Sequence, residues 1–573
     1  MKKIFYVLFY IYLTFLLIYT PYDNIIFYVS IPMLVYNIFL LIKNKYHFDR
    51  TDLFILIIPV FYLIILLLRI NLNTDINNIY EIISSLTISL TVINIRRYND
   101  KKFQNSLLIY IPLLSAFNFI ISFISHIYQY ELYNCIKIFA HFSDTFVNSI
   151  DRFYGLLNYC NASAILFLIS FFICLFRKKD KDNIFNRLLL FINFIGFVYT
   201  FSKMISICLI IIILVLIIYY IIKHHYQQIK DLIIELGLLL IPMCLATTYY
   251  RNFLINANLF LFIKKLIILF LLYYLLLLIV RKIKKQIYVL IAVIIEIICI
   301  IILLFIPILI PLKINNVALN NSYYITELFL KANEDYELII DYDNFGNDIK
   351  FVIEYGYVKN NVFDTYEYII MNDNIAHITG DDNCEYYLLK VVNLNKKTNL
   401  VINSITLNGK IQNINTFLIP YQFSRQLDLI KYDKESVTNR FTYYKDSINY
   451  LKRRYYLFGG GVDTFEYYRI NYYDGLYGEI NPHSILFYYW LDIGIIGVIY
   501  IIYIYTTGII TMIKKSNREE FFIWFIIFTS LAMFSSFDLY LNINILYLIF
   551  LISYVFIIDY QSNHKLIAKK SIK

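Results

Sequence analysis

Glycine and proline are scarce, at 15 and 9 residues in a chain of 573. That excludes collagen-like and low-complexity disordered classes, which need one or both in excess. Charge is scarce as well: 16% of residues are charged and 60% are hydrophobic. Too little polar surface is left to coat a soluble globule of this size, so the composition is that of a membrane protein. The seven cysteines are scattered, with Cys174, Cys208, Cys244 and Cys299 in apolar runs and no CxxC spacing, so no disulfide framework or zinc site follows. No carboxylates or histidines cluster at metal-ligand spacing, and neither a metal nor a cofactor is implied.

Aromatic residues, by contrast, are plentiful, with 57 Tyr and 48 Phe. They suit interfacial belts or sugar-facing clefts. The accompanying bias towards Ile, Asn, Lys and Tyr is equally what an AT-rich genome would produce. The net charge of +10 is not a phosphate-binding face for nucleic acid, because the basic residues sit in short clusters between apolar runs. "RRYNDKK" (96–102), "RKKDKD" (177–182), "RKIKK" (281–285) and "IKK" (513–515) are examples. This is the positive-inside pattern of membrane topology.

Apolar runs of about 15 to 25 residues, enough to cross ~30 Å of hydrocarbon, begin near residues 4, 25, 52, 79, 105, 157, 184, 204, 231, 259, 287, 483, 520 and 540. The first opens on "MKKIFYV" and ends in "PYDN" without a small-residue cleavage site, so it reads as an uncleaved span. About 14 spans with both termini cytoplasmic place every basic cluster inside. Lys264 and Lys265 interrupt the hairpin of 231–280 and make it the weakest of the set. The fold class expected is an α-helical polytopic membrane protein with a small extracytoplasmic β-sandwich-like insertion.

Domain boundaries follow from composition. Residues 1–312 are N-terminal transmembrane helices, 313–433 a β-rich outer insertion, 434–482 a loop with a helix and a Gly-rich turn, 483–560 C-terminal transmembrane helices, and 561–573 a basic cytoplasmic tail. Within the insertion, "YELIIDY", "IKFVIEYGYV", "EYIIM", "EYYLLKVV" and "TNLVINSITLNG" alternate as strands between Asn, Asp and Gly turns. Residues 434–456 have helical spacing, with Ser436 or Thr438 as cap.

Candidate chemistry gathers outside the membrane. His483, between Asn481–Pro482 and an apolar run, is a titratable ring at a span's lip; it either caps the helix or accepts a proton from an acceptor hydroxyl. Gly459 and Gly461 in "FGGGVDTF" either make a turn or let backbone amides approach a phosphate. Arg440 lies in the helical segment. Arg152 in "DRFYGLLNYCNASA" and Lys203 in "YTFSKMIS" are outer cations that the positive-inside tendency does not require, and they suit a diphosphate at the membrane surface.

The ordered set "RFYGLLNYCNASAILFL" (152–168), "YTFSKMISICLIIII" (199–213), "SVTNRFTYYKDSI" (436–448), "LFGGGVDTF" (457–465) and "NPHSILFYYWLDIGIIGVIY" (481–500) resembles the O-antigen ligase and polymerase family. The likeness covers roughly residues 150–560 and leaves out 320–420. Lys203 stands where the family has Arg, and Ser484 where it more often has Asn. The resemblance implies a GT-C-like, metal-independent glycosyltransferase of the bacterial cytoplasmic (inner) membrane. It would pass a glycan from an undecaprenyl-diphosphate-linked donor to a hydroxyl on a glycan, lipid or protein acceptor, in surface polysaccharide assembly. On that model His483, Arg440 and Lys203 are catalytic, and Arg152, Asn161, Gly459, Gly461 and Asn481 bind substrate. The alternative is a lipid-linked oligosaccharide flippase, for which Glu235 and Glu296 inside apolar runs are the motivating residues.

Overall fold

Helices follow the apolar runs along most of the chain. The computed structural model describes residues 2–19, 23–68, 77–98, 100–127, 153, 155–157, 159–177, 183–200, 202–222, 224–256, 259–283, 291, 293–295, 312–315, 322–328, 330–331, 333–344, 349–359, 362–371, 375–381, 384–392, 399–412, 443–452, 457–472, 482–515, 519–537 and 543–570. The described chain is mostly helical and divides into two units.

The first unit comprises Met1–Phe146, Phe153–Ile212 and Glu435–Lys573. Its N-terminal helices are α1 (Lys2–Tyr19), α2 (Asp23–Lys43), α3 (Arg50–Ile55), α4 (Ile57–Leu67), α5 (Asn77–Tyr98) and α6 (Lys101–Ile127). Then follow α7 (Cys160–Phe176), α8 (Ile184–Tyr199) and α9 (Lys203–Ile222), the last running past the unit's boundary at Ile212. A helix apolar on every side is stable only where protein or lipid surrounds it. α7 is of this kind, and protein covers nearly all of it, from Ala162 to Cys174. Polar residues inside the bundle pair with one another: Asn37 donates to Thr91 Oγ1 at 2.8 Å, and Asn94 donates to Asn37 Oδ1 at 3.0 Å, joining α2 to α5.

The C-terminal part of this unit has a helix over 443–452, here α12, then α13 (Thr464–Tyr472), α14 (Ile485–Ile493), α15 (Ile495–Lys515), α16 (Glu519–Phe537) and α17 (Asn544–Lys570). At one end of the bundle Arg96 reaches three carboxylates, Asp49 at 2.6 Å, Asp52 at 2.8 Å and Asp559 at 2.7 Å, while Lys2 meets Asp100 at 2.7 Å. These contacts bring together the stretches around 43–50 and 96–102 and the end of the last apolar run. The sequence assigns all three to one side.

Among the described residues four helical stretches are long and apolar enough to cross a membrane: Ile26–Lys43, Ile79–Tyr98, Lys101–Ile124 and Phe260–Lys282. Shorter apolar helices include Ile57–Leu67, Cys160–Phe176, Ile495–Thr511 and Asn544–Asp559. The run expected to begin near 287 lies largely outside the described residues. The run expected as one span from 483 is two helices, because Gly494 adopts φ +75° and closes α14 before α15 begins. At 1.5 Å per residue the 21 residues of α15 make about 31 Å, the thickness of the hydrocarbon core without α14.

The second unit comprises Val147–Arg152 and Ile213–Lys434. α10 (Tyr226–Asn256) and α11 (Leu259–Lys282) form the expected hairpin, and Tyr273 donates a short hydrogen bond to the buried carboxylate of Glu235. Among the described residues nine strands follow: β1 (Leu312–Asn315), β2 (Ser322–Leu328), β3 (Asp335–Asn344), β4 (Lys350–Lys359), β5 (Val362–Met371), β6 (Ile375–Thr379), β7 (Cys384–Val392), β8 (Asn399–Leu407) and β9 (Lys410–Ile411). One antiparallel sheet runs β1-β8-β3-β6 with β9 on β8, the other β2-β7-β4-β5. Leu338 and Ile340 from the first sheet and Phe351, Ile353 and Leu389 from the second share one core, which makes this a two-sheet sandwich. All five expected strands are present as β3, β4, β5, β7 and β8. Strand β1 begins one residue before the expected boundary at 313, and 413–433 lies outside the described residues.

Candidate functional site

The lip around His483 is built by α14 and the two segments that pack on it. Ser484 is the N-cap of α14 in extended conformation, its carbonyl accepting from the Tyr488 amide at 2.9 Å. His483 just before it takes φ +50°, a left-handed conformation uncommon for residues with a Cβ. The turn tucks the side chain inward, leaving the residue 5% exposed. Its ring stacks on Tyr443 of α12, with centroids 5.6 Å apart and planes at 29°. Tyr444, next on α12, donates to the His483 carbonyl at 3.3 Å and stacks on Phe487. Both the backbone and the imidazole of His483 are thus set by α12, the helix expected at 434–456. The portion at 434–442, with Arg440 and the caps Ser436 and Thr438, lies outside the described residues.

The glycine run docks on the far end of α14 as a backbone clasp. The amides of Gly460 and Gly461 donate to the carbonyls of Leu491 and Asp492 at 2.8 and 2.9 Å, and the amide of Ile495 donates to Leu457 at 3.2 Å. A Cβ at Gly459 would fall 2.3 Å from the Asp492 carbonyl oxygen, and one at Gly494 2.1 Å from that of Leu457. Both glycines have positive φ as well. The glycines therefore let two backbones touch, and the amides of Gly460 and Gly461 are used within the protein. In this geometry the turn reading of Gly459 and Gly461 accounts for their spacing.

Asp492 stands beneath the clasp with 1% exposure. Tyr62 of α4 donates to its Oδ2 at 2.9 Å, and the Thr464 amide at the start of α13 approaches Oδ1 at 3.3 Å. Thr464 in turn donates to the Gly461 carbonyl at 2.6 Å. One carboxylate therefore ties α4, the clasp, α13 and α14 together. A buried carboxyl held by hydrogen bonds from two separate elements fixes geometry more surely than apolar contact does. Sequence reading passes over Tyr62 and Thr464 because nothing local links them to position 492. The helix α13 is likewise absent from the expectation, which carries the segment straight from the glycine turn to His483.

A second cluster lies where α6, α7 and α8 come together in the same unit. Gly155 at φ +68° leaves room for Asn118, whose Oδ1 accepts from the Leu156 amide at 2.6 Å. The Phe153 amide donates to the Tyr199 carbonyl at 3.1 Å. Ser202 donates to Asn161 Oδ1 at 2.6 Å, so the segment after Arg152 and the turn before Lys203 are brought into contact. Lys203 is the first residue of α9, where the helix dipole presents its positive end. Arg152 and Asn481 lie outside the described residues.

Fold and site define a helix-rich protein with apolar helices compatible with a membrane, carrying a β-sandwich and a clasped histidine lip. Comparison with known protein families, with curated proteins and with solved structures finds no match.

Proposed function

We propose that this is a membrane glycosyltransferase of about 14 spans. It moves a glycan from an undecaprenyl-diphosphate-linked donor to an acceptor hydroxyl on the outer face of a bacterial cytoplasmic membrane, in the manner of the O-antigen ligases and polymerases it resembles. The observation that carries the reading is His483 itself. It is a non-glycine residue in a left-handed turn, buried and stacked on Tyr443, with its backbone held by Tyr444. Strained backbone that the surroundings over-determine is the kind concentrated at functional sites.

In this reading an imidazole nitrogen of His483 takes the acceptor's hydroxyl proton as that oxygen bonds to the anomeric carbon. The bond electrons leave with the lipid diphosphate, whose charge is offset by Lys203 and Arg440 with help from Arg152. The N-terminal end of α9, which begins at Lys203, adds favourable electrostatics for an anion. Asn161, held by Ser202, orients the donor, and Gly459, Gly461 and Asn481 frame the site by positioning its loop. The sandwich serves recognition of glycan.

A flippase reading draws on ionisable groups inside apolar helices. Glu235 is such a group, but Tyr273 donates to it across the α10–α11 pair, which gives it a structural role. Glu296 lies outside the described residues. The deciding experiment is His483→Ala. It abolishes glycan transfer while the protein still inserts; unchanged product amount and chain length in that variant would sink the proposal.

A further inference from the structure

The tip of the glycine clasp is apolar, exposed and held rigid. Leu457 and Phe458 are 54% and 64% exposed, although the backbone there is pinned by the Ile495 amide on the Leu457 carbonyl and by the close approach of Gly494. Two large side chains turned outward on a fixed turn are a feature to be explained, because a loop that needs only to connect helices is polar.

Their height follows from α15. Its apolar part, Ile495–Thr511, is one of the shorter apolar helices, but with the turn up to Lys514 and Lys515 the 21 residues make about 31 Å, so with those lysines at one boundary of a bilayer Ile495 would stand near the other. Leu457 is bonded to that first residue. Among the described residues the exposed side chains of α15 are Ile499, Ile502, Tyr503, Thr506, Ile509 and Ile510, which fall on one helical face. Ile495 heads the same face, four and seven residues before Ile499 and Ile502. The exposed Leu457–Phe458 tip is therefore hydrogen-bonded to the residue that heads the outward stripe of α15.

We infer that Leu457 and Phe458 form a membrane anchor whose occupant is the acyl layer just below the headgroups, and that this contact sets the height of the clasp and of the His483 lip relative to the bilayer. The surface fits lipid because it adjoins the outward face of an apolar helix, and the described residues of the tip and of that face, Leu457, Phe458 and Ile495–Thr511, carry no charge. The inference needs the chain to span a bilayer and holds whatever group is transferred at the site.

The test uses the full chain in phospholipid vesicles. Trp490→Phe and Trp524→Phe remove both native indoles, and Phe458→Trp then reports from the tip. Emission is quenched by phospholipids brominated near the top of the acyl chain more than by aqueous iodide. Stronger quenching by iodide, or quenching by neither, overturns the anchor. Should the triple variant fail to fold, Phe458→Cys carrying a nitroxide gives the same reading. Relaxation by oxygen exceeding that by a water-soluble nickel chelate is expected, and the reverse order overturns the proposal. Loss of transfer in His483→Ala bears on the proposed chemistry alone, so the two claims fail separately.

Discussion

Gly494 shows what a single side chain would do to the site. A Cβ there meets the Leu457 carbonyl oxygen at 2.1 Å, and φ is +75°, so Gly494→Ala is strained by both contact and conformation. The conformational part alone is about 1–3 kcal/mol, and the variant should melt at clearly lower temperature in detergent. Gly459→Ala, 2.3 Å from the Asp492 carbonyl oxygen, should do likewise. A melting temperature equal to that of the parent in both would mean that the clasp is not a stabilising contact. Tyr62→Phe leaves the buried Asp492 carboxyl short of one hydrogen bond and should cost about 1–3 kcal/mol, the penalty of an unsatisfied buried polar group. At this scale the glycines and His483 were legible as special from their spacing. Their partners were not, because Leu491, Asp492 and Tyr443 are distant in sequence from the residues they hold.

Among the elements, the join of α3, α5 and α17 through Arg96 is the most exposed to test. Asp52 has a fully buried side chain and Asp559 a nearly buried one, so Arg96→Ala strands carboxylates away from water. The loss is about 3 kcal/mol by analogy with other buried pairs missing one partner, read as a drop in thermal midpoint. Burial raises the Asp49 carboxyl, but hydrogen bonds from Arg96 and from the amides of Asp52 and Thr51 outweigh it and hold the pKa below the ordinary value. Burial likewise acts on Asp100 and is outweighed by Lys2 and the Phe103 amide. A carboxyl with a lowered folded-state pKa stabilises above its unfolded pKa of about 3.9. That stability is lost as pH falls through the folded value. The thermal midpoint should therefore fall on acidification below about pH 4, and less steeply in an Asp49→Asn/Asp100→Asn variant; equal slopes would remove these two groups from the account. Helix positions here followed the apolar runs closely. The break at Gly494 did not, because the run continues through it and only the contact with Leu457 shows why the helix must stop.

At the scale of the whole molecule, the sandwich carries its own hydrophobic core within the second unit. Leu389→Ala in that core should destabilise the sandwich by about 3 kcal/mol, detected as faster protease cleavage within 312–412 while the helical part stays protected. Cleavage at the parent rate would count against a cooperative sandwich core. Strands β3, β4, β5, β7 and β8 were legible because their residues alternate with period two between turn residues. Strands β1, β2 and β6 were not, since their assignment rests on pairing with β8, β7 and β3 and not on a local signal. By itself the sequence determined the helix-rich character, the apolar helical stretches and the presence of a sandwich, because apolar length and alternation are local properties that burial enforces wherever they occur. Only the tertiary structure decided that the glycine run clasps α14, that Asp492 joins four elements and that His483 is turned inward against Tyr443, because hydrogen bonds and close backbone contacts between distant segments leave no periodic trace in the chain.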